Sequence, residues 1–208
     1  MKGAVLAGGA ARRYGGTPKG LLTVGGRRIL DRIVDAVHAV TGALPLLIAD
    51  APDAQSWRPD LQTLPDTRPG FGTLGGLYTA VTVTAPAPVL CVAWDMPFVP
   101  ESLLHALIDR MATGEGAGGG AYDAVLPEST GPRGLEPLCA IYARACAPAI
   151  ARRLDSGDLR AIAFHADVRV GIVPLAEVRR FGDPDELFFN VNTPDDLARA
   201  EALWQRHR

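Results

Sequence analysis

Short apolar segments recur along the first half of the chain, and each is followed by a turn or a polar residue. Four of them are too short for a core helix and are predicted as buried strands. They are Lys2–Ala7, Leu46–Ala49, Leu61–Leu64 and Pro88–Trp94. Because these segments are apolar on both faces of the expected strands, they predict a sheet that is covered on both sides.

Three segments between and after these strands are predicted as helices: Arg28–Val40, Leu74–Val83 and Glu101–Met111. In the first of them, apolar residues recur every three or four positions with charged residues between, which is typical of an amphipathic helix. Strands that alternate with helices run parallel and are joined by right-handed crossovers. The pattern therefore predicts an α/β protein, a Rossmann-like three-layer α/β/α fold with a mostly parallel sheet. Ligands of such sheets bind beyond the carboxyl ends of the strands.

The second half of the chain has a less regular pattern. Four further strands are predicted there: Asp123–Leu126, Leu138–Tyr142, Arg169–Val173 and Leu187–Phe189. A helix is predicted at Ala143–Leu154, interrupted by Pro148. The last helix is predicted to run to about Trp204, with Thr193 as its N-cap and Pro194 at its first position.

The length of 208 residues suits one domain with a full hydrophobic core. Five glycines in Gly114–Gly120 predict a flexible surface loop. Since no segment has the composition of a linker between independent units, residues 1–208 are predicted to form a single domain.

The composition limits the classes of partner. The formal net charge is −2, and a general nucleic-acid binder would usually carry a basic field. No apolar stretch approaches the roughly 18 residues that a membrane-spanning helix needs. The three cysteines, an odd number without a close pair, are predicted to be buried free thiols in a reducing cytoplasm. The expected partners are therefore small molecules.

The segment Leu6–Lys19, directly after the first strand, has the chemistry of a phosphate site. Its glycines allow backbone N–H groups to face a ligand, and Arg12, Arg13 and Lys19 add positive charge. Backbone donors and cations in a turn at a strand end favour binding of a polyphosphate. The spacing fits neither a P-loop nor a dinucleotide fingerprint. The alternative is a glycine-rich turn with solvated arginines.

The same segment resembles the signature loop of the molybdenum cofactor guanylyltransferases, a MobA-like nucleotidyltransferase family. The matching parts are Leu6–Gly9, Arg12–Arg13, Gly15–Gly16 and Lys19–Leu22. The resemblance covers Leu6–Leu197; it is strong at Leu6–Leu22, Asp95–Phe98 and Asn190–Leu197 and loose between them. It implies a sheet of the nucleotide-diphospho-sugar transferase type. It implies that the nucleoside triphosphate is bound by Leu6, Ala7, Gly8, Gly9, Arg12 and Lys19. It also implies that Lys19 and Arg13 act in catalysis. In this view residues 1–112 form the nucleotide-binding half and residues 113–208 the acceptor half.

Asp95 follows the fourth predicted strand directly, so its carboxylate is expected to project into the ligand crevice. Magnesium prefers one or two carboxylates together with phosphate oxygens and water. The segment Asp95–Phe98 also matches a D-x-P-[FY] motif of the family, in which the equivalent aspartate binds Mg²⁺. Asp95 is therefore predicted as a catalytic residue and the metal ligand; the alternative is an aspartate that caps a turn before proline.

Two further segments resemble ligand-binding parts of the family. Arg68–Leu77, which includes Gly75, is similar to a glycine-rich loop of the family, and its glycines would allow the backbone to approach a base or a ribose. Asp66 corresponds to a GTP-binding aspartate of the family. A carboxylate suits this role because it can accept hydrogen bonds from both N1–H and the 2-amino group of guanine. Asp50 could act in the same way or be an ordinary loop residue, because the family typically has an asparagine near this position.

Asn190–Leu197 closely matches the family's NVNTP-[DE]-[DE]-L segment. Asn190 and Asn192, at an expected strand end, would point the same way and present amides to a pterin or a phosphate. The alternative is helix capping alone, which is expected for Thr193–Asp196 in either case. The segment around Glu136 occupies the place of a family segment near the second substrate.

The expected reaction is transfer of GMP from GTP to molybdopterin-bound molybdenum cofactor, with release of pyrophosphate. Mg²⁺ on Asp95 and the three cations of the first loop would compensate charge. The alternatives are a cytidylyltransferase on the same cofactor, another small-molecule NTP transferase of the superfamily, or a nucleotide-binding accessory protein without catalysis. Molybdenum-insertion proteins and molybdoenzyme chaperones are expected partners, and the expected location is the cytoplasm.

Overall fold

The fold is taken from a computed structural model that describes residues 1–8, 18–114 and 121–207. These parts contain nine strands: β1 Lys2–Leu6, β2 Thr23–Val24, β3 Arg27–Arg28, β4 Leu46–Ile48, β5 Thr63–Leu64, β6 Val89–Ala93, β7 Ala124–Pro127, β8 Cys139–Tyr142 and β9 Val170–Val173. They also contain eight α-helices: α1 Ile29–Thr41, α2 Ala54–Trp57, α3 Gly72–Val83, α4 Glu101–Thr113, α5 Ala147–Ser156, α6 Leu175–Val178, α7 Pro184–Leu187 and α8 Pro194–Arg206.

Seven of the described strands form one sheet in the order β5-β4-β1-β6-β8-β7-β9, and β2 pairs with β3 in a small hairpin. The pairs β5–β4, β4–β1, β1–β6 and β7–β9 are parallel. Strand β8 runs antiparallel to both of its neighbours, β6 and β7. The mostly parallel sheet is confirmed.

The sheet separates two apolar cores. Val5 of β1 packs with α1 and α4 on one face, whereas Ala4 and Leu6 pack with α3 and α5 on the other. This alternation follows from the two-residue period of a strand, which sends successive side chains to opposite faces. The predicted three-layer α/β/α arrangement is therefore confirmed, because apolar residues on both faces of β1 each have a helical layer to cover them.

The final predicted strand is wrong. Leu187 ends helix α7, and Phe188 lies in the turn that follows it. Asp183 caps this helix, since its carboxylate accepts a hydrogen bond of 3.0 Å from the backbone N–H of Asp185. Pro184 occupies the first turn, where proline's missing N–H has no cost. The helix-start signal at Asp183–Pro184 therefore predicts the local structure better than the three-residue apolar run Leu187–Phe189.

Two other predictions need correction or lie outside the described residues. Pro148 does not interrupt a helix: a short 3-10 turn, Arg144–Cys146, precedes α5, and Pro148 lies in the first turn of α5. Of the predicted loop Gly114–Gly120, residues 115–120 lie outside the described parts.

The three cysteines are buried free thiols, as predicted. Within the described parts, no helix has both the length and the apolar character to cross a bilayer.

His165 lies in the apolar layer beside α5, against the rings of Phe164 and Tyr142 at centroid distances of 4.5 and 6.2 Å. Both of its ring nitrogens are buried and find no hydrogen-bond partner among the described residues. Burial penalises the charged imidazolium and lowers the pKa of His165 to about 4.

Acidification is expected to destabilise the fold through His165. The pKa falls from 6.5 for a free histidine to about 4 in the folded chain, so the unfolded chain binds more protons between these values. Stability from this residue is therefore complete above pH 6.5 and is lost as the pH falls toward 4. The expected loss of unfolding free energy is on the order of 2 kcal/mol, which is less than the full pKa shift corresponds to, because the ring is only partly shielded from water.

Urea unfolding between pH 4 and 7.5 measures this effect. His165→Phe should keep the aromatic packing and reduce the loss of unfolding free energy between pH 6.5 and 4. His105→Phe, at an exposed position on α4, is the matched control and should keep the wild-type profile. A wild-type loss of unfolding free energy at low pH in His165→Phe would contradict this role of His165.

Candidate active site

A cleft of about 760 Å³ lies at the carboxyl ends of the parallel strands. Backbone hydrogen bonds keep these ends level: the N–H of Ala7 donates to Ile48 at 2.8 Å, and the N–H of Trp94 donates to Leu6 at 3.2 Å. Residues just after the strands therefore emerge at one edge of the sheet. The charged residues of the described parts that line this cleft are Lys19, Asp50, Asp53, Asp66, Asp95, Arg133 and Glu136.

Lys19 and Asp95 meet at the centre of the cleft. The Lys19 Nζ lies 3.9 Å from Asp95 Oδ2, and the two side chains are only 12% and 15% exposed. The Lys19 ammonium also donates a hydrogen bond to Oδ1 of Asn192. Three residues that the sequence predicted for the site, far apart along the chain, are thus brought together.

The position of Lys19 depends on the absence of a side chain at its neighbour Gly20. Lys19 begins a 3-10 turn, Lys19–Leu21, in which Gly20 lies against the Trp94 ring. A Cβ on Gly20 would lie 2.4 Å from Cε3 of the Trp94 ring. The Trp94 ring in turn stacks on Trp57 with a centroid distance of 5.0 Å. Since Asp95 directly follows Trp94, this packing brings the lysine and the aspartate to the same place.

Asp95 and Glu136 are acids in surroundings that oppose their ionisation. Burial raises the pKa of Asp95, and the nearby Lys19 partly offsets this effect. Burial also raises the pKa of Glu136, and the charge of Asp95 adds to it. A hydrogen bond of 3.0 Å from the N–H of Leu138 to Oε1 of Glu136 and the charge of Arg133 act in the opposite direction. Two carboxylates that repel each other in one cleft favour a bound cation.

Asp66 and Asp50 form the acidic end of the cleft, beyond β5 and β4. The backbone N–H of Asp66 donates to Oδ1 of Asp50 at 2.7 Å. Burial and the charge of Asp50 raise the pKa of Asp66 to about 6. Gly75 does not line the cleft; a Cβ there would lie 3.2 Å from Oδ2 of Asp66 and 3.0 Å from the carbonyl of Arg68. The structure therefore places Gly75 beneath Asp66, where it leaves room for the carboxylate.

Asn190 and Asn192 both line the cleft, although the strand predicted before them is absent. Their segment is held instead by a hydrogen bond of 2.9 Å from the N–H of Val191 to the carbonyl of Asp95. The capping expected at the start of α8 is present: Asp196 accepts from the N–H of Thr193 at 2.8 Å and donates its own N–H to Thr193 Oγ1 at 3.2 Å. The segment thus combines a capped helix with two amides at the site.

Three predicted site residues, Gly9, Arg12 and Arg13, lie outside the described residues. Leu6, Ala7 and Gly8 line the cleft as the first strand ends. Sequence reasoning missed Trp57 and Arg133, which also line it. A tryptophan in a short helix carries no motif, but Arg133 could have been found as the nearest cation to the segment around Glu136.

Comparison with known proteins identifies the family of this chain. Residues 3–170 match the family model of the MobA-like NTP transferase domain. The chain is 33% identical over 206 residues to a probable molybdenum cofactor guanylyltransferase of Pelotomaculum thermopropionicum, covering 99% of this chain and 94% of the relative. It is 33% identical over 205 residues to a molybdenum cofactor guanylyltransferase of Desulfosudis oleivorans, covering 97% and 95%.

A solved structure is also similar over its whole length. It is the molybdopterin-guanine dinucleotide biosynthesis protein A of Archaeoglobus fulgidus, with a TM-score of 0.78 and 28% identity. The match covers 99% of this chain and 100% of that chain. The chain therefore belongs to the MobA-like NTP transferase family and is a nucleotidyltransferase.

Gly20→Ala is expected to destabilise the fold and displace Lys19. The new methyl group would overlap the Trp94 ring, so the turn or the tryptophan pair must move. Overpacking of this kind costs about 1–3 kcal/mol of unfolding free energy. Chemical denaturation followed by tryptophan fluorescence measures it.

Gly131→Ala is the matched control for this substitution. The nearest atom to a Cβ at Gly131 is Oγ of Ser129 at 3.6 Å, which is an ordinary contact. This variant is expected to unfold at the wild-type denaturant concentration. Equal stability of Gly20→Ala and Gly131→Ala would contradict the close packing of Gly20 on Trp94.

Proposed function

We propose that this nucleotidyltransferase transfers GMP from GTP to the molybdopterin-bound molybdenum cofactor, releases pyrophosphate and forms the guanine dinucleotide cofactor. The observation that carries the proposal is the meeting of Lys19, Asp95 and Asn192 in one cleft at the carboxyl edge of the sheet. Further support comes from the relatives of similar length, which are named molybdenum cofactor guanylyltransferases.

Mg²⁺ is the cofactor that we propose for this reaction, and the donor set fits it. Asp95 would hold the ion, and the carboxylate of Glu136 faces the same space, which suits a cation that takes one or two carboxylates. Among the described residues, no group of three or more His, Cys, Asp or Glu side chains could hold a metal alone. The remaining ligands would therefore be phosphate oxygens and water. When bound, Mg²⁺ supplies positive charge at the phosphate that is transferred.

The residues of the chain act in this proposal by position and charge. The terminal phosphate of the acceptor is already anionic, so its attack on the α-phosphorus requires no strong general base. The Lys19 ammonium lies between Asp95 and Asn192 and is proposed to hold a phosphate of the nucleotide. Arg12 and Arg13, outside the described residues, are proposed to stabilise the departing pyrophosphate. Charge placed in advance along the reaction path is the main source of catalysis in such a site.

Asp66 is the proposed reader of the base. An ionised carboxylate can accept from both N1–H and the 2-amino group of guanine. The raised pKa of about 6 leaves Asp66 ionised at pH 7.5 and mostly protonated at pH 5.5. A protonated carboxyl offers one donor and one acceptor, which matches N3 and the 4-amino group of cytosine. The alternative function, cytidylyl transfer to the same cofactor, is therefore favoured at low pH.

The cellular setting is part of the same proposal. Three buried free thiols suit a reducing compartment, and we place the protein in the cytoplasm. Its acceptor would arrive from molybdenum-insertion proteins, and its product would pass to molybdoenzyme chaperones.

Asp95→Asn is expected to abolish most turnover without loss of stability. Because burial raises the pKa of Asp95, its ionised form destabilises the folded chain at neutral pH, and the neutral amide removes this penalty. We expect pyrophosphate release with GTP, Mg²⁺ and the molybdenum cofactor to fall by at least about 100-fold. The melting temperature should stay the same or rise.

Asp109→Asn is the matched control for this substitution, since Asp109 is exposed on α4. It should leave turnover and melting temperature at wild-type values. Wild-type turnover in Asp95→Asn would remove Asp95 from the mechanism. A large fall in melting temperature would show that its effect on turnover is structural.

Asp66→Asn is expected to move nucleotide preference from GTP toward CTP. The amide has one acceptor and one donor, so it loses a hydrogen bond to guanine and gains complementarity to cytosine. The ratio of kcat/KM for GTP over CTP should fall by about tenfold or more, which corresponds to about 1.4 kcal/mol. Initial rates of pyrophosphate release with each nucleotide measure the ratio.

The pH dependence of this ratio provides the internal control. In the wild type the preference for GTP should decline as the pH falls through about 6, because Asp66 gains a proton. In Asp66→Asn the ratio should not change over this range. A ratio that is equal in both proteins at pH 7.5 would exclude Asp66 as the reader of the base.

A further inference from the structure

The cleft has an ordered layout along the edge of the sheet. Asp66 and Asp50 follow β5 and β4, Gly8 follows β1, and Asp95 follows β6. Glu136 precedes β8, which is antiparallel and so begins at this same edge. Neighbouring strands are about 4.8 Å apart, so the distance from β5 to β8 is about 19 Å. The base end and the far end of the cleft are therefore separated by the metal carboxylate.

Arg133 lies at the far end, on the connection between β7 and β8. Residues 128 and 135 form an isolated bridge that closes this connection. The N–H of Ser129 donates to Gly134 at 3.0 Å, and the N–H of Gly134 donates to Gly131 at 2.9 Å. Gly134 has a φ of +68°, which a glycine adopts without strain. The backbone that carries the Arg133 side chain is thus held in a tight turn at the rim.

The charge of the cleft is unbalanced. Its lining in the described parts has five carboxylates (Asp50, Asp53, Asp66, Asp95 and Glu136) and two cations, Lys19 and Arg133. Lys19 is already in contact with Asp95 and Asn192. Arg133 makes no hydrogen bond or ion pair with any described residue; its electrostatic partner is Glu136, which lies three residues further along. Its guanidinium is therefore available to a ligand.

We propose that Arg133 binds the terminal phosphate of the acceptor, a phosphate monoester, at the β8 end of the cleft. The proposal rests on the proposed function, which requires this phosphate to approach a site rich in carboxylates. A planar guanidinium can donate two hydrogen bonds to one phosphate and offset this repulsion. Glu136 attracts the guanidinium toward the interior of the cleft.

The layout also gives the direction of attack. With the base near β5, the α-phosphorus near Asp95 and the acceptor at Arg133, the acceptor oxygen approaches from the β8 end. That oxygen forms the new bond to the α-phosphorus. The bond from the α-phosphorus to its bridging oxygen breaks, and the electron pair leaves with pyrophosphate. Arg133 gains and loses no proton, and it acts by holding the acceptor in line.

Arg133→Ala tests the proposal through two Michaelis constants. With GTP saturating, the KM for the molybdenum cofactor should rise by about tenfold or more, since a charge-assisted contact is lost. The KM for GTP should change by less than about twofold, because Arg133 lies away from the nucleotide. Arg133→Lys should recover part of the acceptor affinity. Arg152→Ala, which removes an exposed arginine on α5, is the matched control and should leave both constants unchanged.

A binding measurement that needs no turnover separates failure of this proposal from failure of the proposed function. Inorganic phosphate is titrated by calorimetry into the wild type and Arg133→Ala, each saturated with GTP and Mg²⁺ or, if GTP does not bind, without nucleotide. Phosphate binding that is lost in Arg133→Ala supports the site, even if the wild type releases no pyrophosphate and the proposed function fails. Equal phosphate binding, or turnover with an unchanged acceptor KM in Arg133→Ala, overturns the role of Arg133 and leaves the proposed function standing.

Discussion

The parallel pairing of β1 with β6 is the constraint on which the site depends. Leu6 pairs with Ala93 in register, so the segments that follow the two strands begin side by side. Asp95 follows β6, and the Trp94 ring before it packs on Gly20, the neighbour of Lys19. A shift of this register by one residue would exchange the two faces of β6 and move Asp95 away from Lys19. The chemistry of the cleft is therefore a consequence of packing in the centre of the sheet.

The same arrangement leaves the cleft with unbalanced charge. Asp95, Glu136 and Asp66 are partly buried acids with raised pKa values, and burial is the first cause in each case. Acids of this kind are held in place by the fold at a cost in stability, which suggests selection for binding. In the proposed function, a cation would satisfy Asp95 and Glu136, and the donor-rich edge of a guanine would satisfy Asp66. The unfavourable electrostatics of the free protein would then become favourable when the proposed metal and nucleotide bind together.

Much of the fold could be predicted from the sequence because its strands and helices have clear periods. The apolar run before Asp95 became β6, and the periodic segment after Arg28 became α1. The error at Leu187–Phe189 arose because three apolar residues cannot distinguish a strand from the end of a helix. Lys19, Asp95 and Asn192 could be predicted from their motifs, whereas Arg133 belongs to no motif and is marked in the sequence only by its nearness to Glu136. Its place at the rim depends on how β7 and β8 are connected, and this is a property of the tertiary structure.

The position of β8 shows how one sheet could serve the two substrates of the proposed reaction. In a fully parallel sheet, the carboxyl edge receives only the segments that follow strands. Here β8 runs the opposite way, so the segment that precedes it, with Glu136, also arrives at that edge. Its connection to β7 adds Arg133 without another helix, because a tight turn can join antiparallel strands. One reversed strand therefore adds a second wall to the cleft, and this wall carries Glu136 and the cation Arg133.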